Sequence, residues 1–388
     1  MEEKKQLKIG LSCIVKNESK VILKMLESVV NIIDYWCIVD TGSTDGTQDI
    51  IKNYFKEKNI DGVLKEIEWK NFSTSRNIAL QGLIGYTDWG FWIDADETIS
   101  FKNKDFSKEI LKNKLTGIDS AYVQVLHGNS IYKRMQFFNL SSNWYWTGPV
   151  HEILISKKDT NKSILIDDFF VNYTYNGNSW TSQTTEQKYE KYIKLLKDYI
   201  DENPNQDNSR WVFYLAQSYK DTGSEKYYED VIKWYSERLK LEGFLEEKYI
   251  SQLNIAKFKA LSKKYSDEDI IQSFLKCTNF NPDRIEHFDY IIEYYHNKKE
   301  WNLAYLFSSF AIKSNSIINK NIINNFLFAD TIIYNWKIYD LHCISCYYLN
   351  KKDEMKKYAK ILEEKINNKE ISNFHIERIK SNLKFYLK

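Results

Sequence analysis

Apolar residues follow two rhythms along this chain, and the change between them falls near the middle. In the first half, short apolar runs alternate with stretches of helical spacing. Residues 7–15 read as a buried strand ending at Lys16-Asn17-Glu18-Ser19. Ser19 can cap a helix to about residue 31, with Val21, Ile22, Met25, Leu26, Val29 and Val30 on one stripe. Residues 35–39 read as a second strand, followed by Asp40-Thr-Gly-Ser-Thr-Asp-Gly-Thr47. Gly42 and Gly46 permit a tight turn there, and Thr44 or Asp45 can cap a helix over 48–58. A short third strand is expected over 63–69, and Phe72-Ser-Thr-Ser-Arg-Asn77 opens another helix. Then comes Trp89-Gly-Phe-Trp-Ile-Asp-Ala-Asp-Glu97, an apolar strand running into three carboxylates. Strand alternation predicts Asp94 and Asp96 on one side. A polar helix is expected after Thr98, then strands near 121–126 and 134–140. Strand alternating with helix predicts βαβ units and an α/β fold.

From about residue 184 only the helical rhythm remains. Residues 210–219 and 229–239 read as an antiparallel helix pair; a second pair contains Tyr295, Ala304 and Ala311, and a blurred one covers 341–362. Small and aromatic residues at these offsets resemble tetratricopeptide repeats. The expected organisation is an α/β domain over 1–183 and an all-α repeat-like domain over 184–388. The turn-rich Asn203-Pro-Asn-Gln-Asp-Asn-Ser209 lies inside the start of the second. Such arrays present concave surfaces suited to a partner peptide, an acceptor or a second copy of the chain, with plain packing as the alternative.

Composition narrows the classes. Of 388 residues, 43% are hydrophobic and 15% aromatic, enough for packed cores rather than disorder. Lys+Arg number 55 against 53 Asp+Glu, a net charge of +2 with no long single-sign block, so nucleic acid is not an expected partner. The charged start is not followed by a long apolar run, and no run of about 18 apolar residues suggests a membrane span or a signal peptide. The cysteines Cys13, Cys37, Cys277, Cys343 and Cys346 sit mostly in apolar runs and read as reduced core thiols of a cytoplasmic protein. Cys343 and Cys346 form C-x-x-C within a helical pattern without a second pair, so packing is expected rather than zinc.

The candidate chemistry sits at strand ends, where open α/β sheets bind ligands. Asp94 and Asp96 can share a hard divalent cation, Mg²⁺ or Mn²⁺, together with a substrate phosphate. Asn17, Glu18 and Asp40 arrive at the same edge, where a carboxylate can accept hydrogen bonds from a nucleobase or ribose; Asn17, Asp40 and Asp45 can equally be turn and cap residues. Arg76 at a helix start can pair with a phosphate. Asp94-Ala-Asp96-Glu-Thr98 also fits the strand end of aspartate-nucleophile phosphatases, with Asp94 as nucleophile and Asp167-Asp168 as a late acidic pair. Asn143-Trp-Tyr-Trp-Thr-Gly-Pro-Val-His-Glu152 joins Trp144 and Trp146 to a His-Glu pair. Those rings suit an acceptor cleft for sugar or peptide, or else core packing.

Ile14-Val-Lys-Asn-Glu18, Val39-Asp-Thr-Gly-Ser-Thr-Asp-Gly-Thr47, Phe72-Ser-Thr-Ser-Arg-Asn77 and Trp92-Ile-Asp-Ala-Asp-Glu97 occur in the order and spacing of family-2 glycosyltransferases of the GT-A fold. The chain resembles that family over about its first half, and within it the bacteriocin S-glycosyltransferases and lipopolysaccharide-core glucosyltransferases. The resemblance implies an inverting, metal-assisted transfer from a nucleoside-diphosphate sugar, expected to be a UDP-sugar, to a peptide, protein or glycan. It implies Glu152 as general base, with His151 as its neighbour, as the base itself or as a metal ligand, because similar enzymes carry Gly-x-Val-His-Glu here. Tyr175, beside Asn176-Gly177, departs from relatives that place a His there. A repeat scaffold with a degenerate sugar-nucleotide domain is the alternative that this departure supports.

Overall fold

The computed structural model describes residues 7–103, 105–127, 130–159, 162–174, 177 and 182–387. The chain divides into two compact units, Met1–Pro204 and Asn205–Lys388.

The first unit is a mixed sheet covered on both faces. Strands β1 (Ile9–Val15), β2 (Tyr35–Asp40), β3 (Gly62–Glu66) and β4 (Trp89–Trp92) run parallel, as their apolar runs suggest. Helices α1 (Ile22–Val29), α2 (Thr47–Lys58) and α3 (Phe72–Gln81) fall between them. The chain continues through β5 (Glu97–Phe101), α4 (Lys108–Leu115), β6 (Ser120–His127), β7 (Ser130–Asn139), the hairpin β8 (Trp144–Thr147) and β9 (Ile153–Ser156), and β10 (Ser163–Tyr173). The eight strands stand in the order β3-β2-β1-β4-β7-β6-β10-β5, with β7 antiparallel to both its neighbours and β5 antiparallel to β10.

Alternation along the strands feeds two cores. On one face Leu11, Phe91 and Phe137 meet Met25 and Leu26 of α1, Phe55 of α2, and Leu111 and Leu115 of α4. On the other, Trp92 and Phe138 meet Leu80 of α3 and Trp144, Trp146 and Leu154 of the hairpin. Each such large side chain contributes roughly 1.5–3 kcal/mol on burial. Gly90 is required on the second face, because a Cβ there would lie 2.2 Å from the Phe138 ring.

Three boundaries differ from the sequence reading. Ser19 does not cap α1; its N–H donates to Asp45 Oδ2 instead (3.0 Å). Neither Thr44 nor Asp45 occupies the cap of α2, which falls on Gly46 in the left-handed region (φ 88°). Strand β4 stops at Trp92, so Asp94 and Asp96 belong to the turn that leads into β5, not to an alternating strand. A further helix, α5 (Thr185–Glu202), opens with a capping box at Thr184 and lies in the first compact unit, beyond the 183/184 change of rhythm.

The second unit is helical. Its pairs Ser209–Asp221 with Tyr228–Lys240, Glu286–Asn297 with Trp301–Ile312, and Ile338–Tyr348 with Lys352–Asn367 fall on the three expected pairs. Ala304 and Ala311 are fully buried between helices. Leu245–Ser262 was not marked by the pattern, because it is buried on several sides and shows no single apolar stripe. Arg284 neutralises two buried carboxylates there, Glu246 at 2.7 Å and Glu286 at 2.5 Å. Cys343 and Cys346 are free and buried. His342 is held between Ser308 Oγ (2.8 Å) and Glu354 Oε1 (3.2 Å). Among the described residues no helix is long and apolar enough to cross a membrane.

Candidate active site

The loops after β1 and β2 are laced together by side chains. Asn17, itself left-handed (φ 56°), accepts from the Thr44 N–H through Oδ1, and its own N–H donates to Ser43 Oγ, both at 2.8 Å. Asp45 accepts from Thr47 and Ser19. Burial pushes its carboxyl up, but these hydrogen bonds outweigh that and bring it down to about 2. Asn17 is therefore a loop-holding residue, and its side chain is directed to protein. Asp40 is 1% exposed; Oδ1 accepts from the N–H groups of Gly42 and Ser43 at 2.8 Å. Its Oδ2 is buried with no hydrogen-bond partner. An orphaned buried acceptor costs about 1–3 kcal/mol, and a ligand N–H is one remedy.

Arg76 holds the centre. Its Nη2 donates to Asp94 Oδ1 and its Nε to Glu152 Oε1, both at 2.6 Å. The guanidinium lies over the rings of Trp92 (4.8 Å) and Trp146 (5.0 Å). This corrects the expectation that Arg76 meets a phosphate: its fork, presented by α3, is taken by two protein carboxylates from the β4–β5 turn and the segment before β9. Asp94 is thereby kept below the ordinary carboxylate range, since Arg76 and then Arg134 outweigh its burial. Glu97 is fully buried and gripped by both Arg134 Nη atoms at 2.9 and 2.6 Å.

Asp96 makes no such ion pair among the described residues. Burial, followed by the charges of Asp94, Glu97 and Glu18, pushes its carboxyl up to about 7. Gly177 comes so close that a Cβ there would lie 2.5 Å from Asp96 Oδ2. This surplus of hard oxygen donors fits Mg²⁺ or Mn²⁺, which bind through one or two carboxylates and complete their shells with phosphate and water. Asp96, with the second oxygen of Asp94, would hold the ion. Tyr175 lies outside the described residues.

Arg76, Asp94, Asp96 and Arg134 share one cleft of about 620 Å³, lined also by Lys16, Glu18, Thr41 and Val150; Asn17, Asp40 and Glu97 are not part of its lining. His151 reaches it from a left-handed backbone position (φ 50°), followed by Glu152. Of the two expected acceptor-side rings, Trp146 lines the cleft, fixed by paired hydrogen bonds between its backbone and the Asn77 amide (2.8 Å each). Trp144 does not: two residues further back on β8, it packs against Phe138 in the core. Further rings of the cleft include Trp92, Phe72 and Tyr173, and also Trp69, Tyr189 and Tyr192, which sequence reasoning did not assign to a site. Lys188 and Arg134 were missed as well, since neither belongs to a local motif. Burial brings Lys188 down to about 8, with Asp96 pulling the other way.

The late acidic pair of the phosphatase reading lies elsewhere. Asp167 and Asp168 sit at the register shift of β10 against β6, with Asp168 Oδ2 bound by Lys114 Nζ at 2.6 Å, and neither lines the cleft that holds Asp94. Residues 13–178 match the family described as Glycosyl transferase family 2. That stretch, under half of the chain, is similar to a family-2 glycosyltransferase domain. The matched stretch holds all four sequence motifs, the β8–β9 hairpin and the His-Glu pair; α5 lies outside it. The chain is 30% identical over 216 residues to the SPbeta prophage-derived glycosyltransferase SunS of Bacillus subtilis (strain 168) and to glycosyltransferase SunS of Bacillus phage SPbeta. The match covers 54% of this chain and 48% of each relative, so the chain spans about half the length of the curated relatives it matches. Among solved structures it is similar to S. aureus TarS 1–349 in complex with UDP, with 13% identity and TM-score 0.34 over 69% of this chain and 83% of that chain.

Proposed function

We propose that the protein moves a sugar from a nucleoside-diphosphate donor, a UDP-sugar in the first instance, to a hydroxyl or thiol of a peptide or glycan, with inversion at the anomeric carbon. The observation that carries this reading is the Arg76 bridge, which joins the carboxylate motif at the end of β4 to the His-Glu pair before β9 within one cleft. A donor side and an acceptor side are what a two-substrate displacement requires. Asp40, next to the cleft-lining Thr41, has an unpartnered Oδ2 that a base N–H would satisfy, and Glu18 on the cleft wall would accept from a ribose hydroxyl. Glu152, oriented by Arg76, takes the acceptor proton as the new bond to the anomeric carbon forms. The bond from that carbon to the phosphate oxygen breaks, and the nucleoside diphosphate leaves with the electron pair. Bound at Asp96 and Asp94, Mg²⁺ or Mn²⁺ supplies positive charge to that departing group. The aromatic wall of Trp69, Phe72, Trp146 and Tyr192 suits the face of a sugar or a peptide side chain.

The test is calorimetry of UDP and GDP with and without Mn²⁺ on the full chain, alongside hydrolysis of nucleotide sugars without acceptor. Metal should tighten nucleotide binding in the wild type and have no effect in Asp96→Ala. Equal affinity with and without metal in the wild type would remove the metal-assisted reading, and an absence of nucleotide binding would remove the donor reading.

A further inference from the structure

The second unit brings together a set of side chains whose chemistry the cleft does not use. His342 and Cys346 stand one turn apart on the helix Ile338–Tyr348, and Glu354 comes from the next helix, Lys352–Asn367. A His342 ring nitrogen, Cys346 Sγ and a Glu354 carboxylate oxygen all lie within 4.8 Å of one another, and no other such group occurs among the described residues. His342 and Cys346 are buried, whereas Glu354 is partly exposed. Hydrogen bonding decides how the imidazole is used. Ser308 Oγ donates its one proton to the Tyr305 carbonyl (3.1 Å), so at 2.8 Å it accepts from His342 Nδ1–H. The Nε2 lone pair of the neutral ring then faces Glu354 Oε1 at 3.2 Å, while Glu354 Oε2 accepts from the Tyr305 hydroxyl (2.7 Å). Two acceptors facing at that distance repel unless a cation joins them. A proton is one such cation, at the cost of a buried imidazolium. A metal ion is the other, and it alone makes use of Cys346. Nitrogen and oxygen ligands of a tetrahedral zinc stand roughly 3.3 Å apart, given bonds of about 2.0–2.2 Å. Cys343, the other half of the C-x-x-C, donates from Sγ to the Met355 carbonyl (3.6 Å) and stays outside the group.

We propose that His342 Nε2, Cys346 Sγ and a Glu354 carboxylate oxygen bind one Zn²⁺, with water as its fourth ligand. The site is independent of the donor reading: the Asp94–Asp96 pair offers oxygen alone and suits harder ions. Cys346 gives up its thiol proton to solvent on binding, and thiolate and carboxylate together balance the charge of the ion. Ser308 and Tyr305, both on the helix Trp301–Ile312, hold the imidazole and the carboxylate in place. The ion ties the three helices to one another, so its binding stabilises the second unit.

The experiment strips the full chain with a chelator and titrates it with Co²⁺, following the thiolate-to-cobalt charge-transfer absorption in the near ultraviolet. The band should develop in the wild type and disappear when Zn²⁺ displaces the cobalt. It should persist in Asp96→Ala and in Cys343→Ser and be lost in Cys346→Ser. Glu354→Gln should raise the Co²⁺ dissociation constant read from the band at least tenfold. Zn²⁺ should also raise the thermal midpoint of the stripped wild type more than that of Cys346→Ser. No band in the wild type overturns the proposal, and so does a band that survives in Cys346→Ser. If Cys346→Ser does not fold, Glu354→Gln decides: an unchanged dissociation constant there means that His342 and Glu354 share only a proton, and the proposal falls.

Discussion

Glu152→Gln keeps the shape of the side chain and an oxygen for the Arg76 Nε, so it removes the proton acceptor without freeing the arginine. Transfer to a hydroxyl acceptor should drop by about 10²–10⁴, with donor affinity retained by calorimetry. A thiol acceptor, already partly ionised near neutral pH, should show a smaller drop. Full activity in Glu152→Gln combined with inactivity in His151→Ala would transfer the role to His151. Arg76→Met leaves Asp94 and Glu152 facing each other without their shared counter-charge. Removing one partner of a buried pair costs on the order of 3–5 kcal/mol, to be read as a lowered denaturation midpoint in the full chain. A midpoint within error of wild type would mean that water replaces the arginine at little cost. The residue types of this site were readable in the sequence, since acids after apolar runs mark strand ends. Their pairing was not, because Arg76 and Glu152 stand 76 positions apart and no local pattern links a helix start to a hairpin.

At the scale of elements, α5 shows where sequence periodicity stops informing. Its capping box and apolar spacing announce a helix, and the same spacing continues into the helices that follow. Periodicity states that a face is buried but not against what. The fully buried Leu196, and Ile193 at 8% exposure, lie within the first compact unit, as do the cleft-facing Lys188 and Tyr192. A chain ending at 204 should therefore fold and bind nucleotide. One ending at 183 should expose that apolar surface and lose one wall of the cleft. Size-exclusion chromatography and a thermal melt of the two chains decide this: a 1–183 chain as soluble, cooperative and nucleotide-competent as 1–204 would show that α5 is dispensable. The parallel strands β1, β2 and β4 were legible because apolar runs dominate them. The short β5 was hidden by its acidic start, where Glu97 is buried only because Arg134, thirty-seven positions later, reaches it.

At the scale of the whole molecule, acid should act unevenly. His287 and His296, both in the second unit, are held near pKa 4 by burial, well below the ordinary imidazole value of 6.5. Between those values the unfolded chain binds more protons than the folded one, so stability rises with pH across the window and is lost on acidification. Each histidine contributes up to about 1.4 kcal/mol per pH unit there. Asp289, pushed up to about 6 by burial against the pull of Lys337, opposes them below pH 6, so the steepest loss should fall just above it. Urea denaturation from pH 7 to 5 should show this slope in the full chain and not in 1–204; an equal slope in both would place the acid-sensitive groups elsewhere. The Arg76 bridge also has a thermodynamic consequence. One guanidinium restrains both Asp94 and Glu152, so if these face donor and acceptor as proposed, occupancy of either pocket would change the restraint felt by the other. Linkage is reciprocal: by whatever factor a bound donor changes the affinity for acceptor, a bound acceptor changes the affinity for donor. The two substrates would then be sensed together, through a single planar ion packed against two indoles.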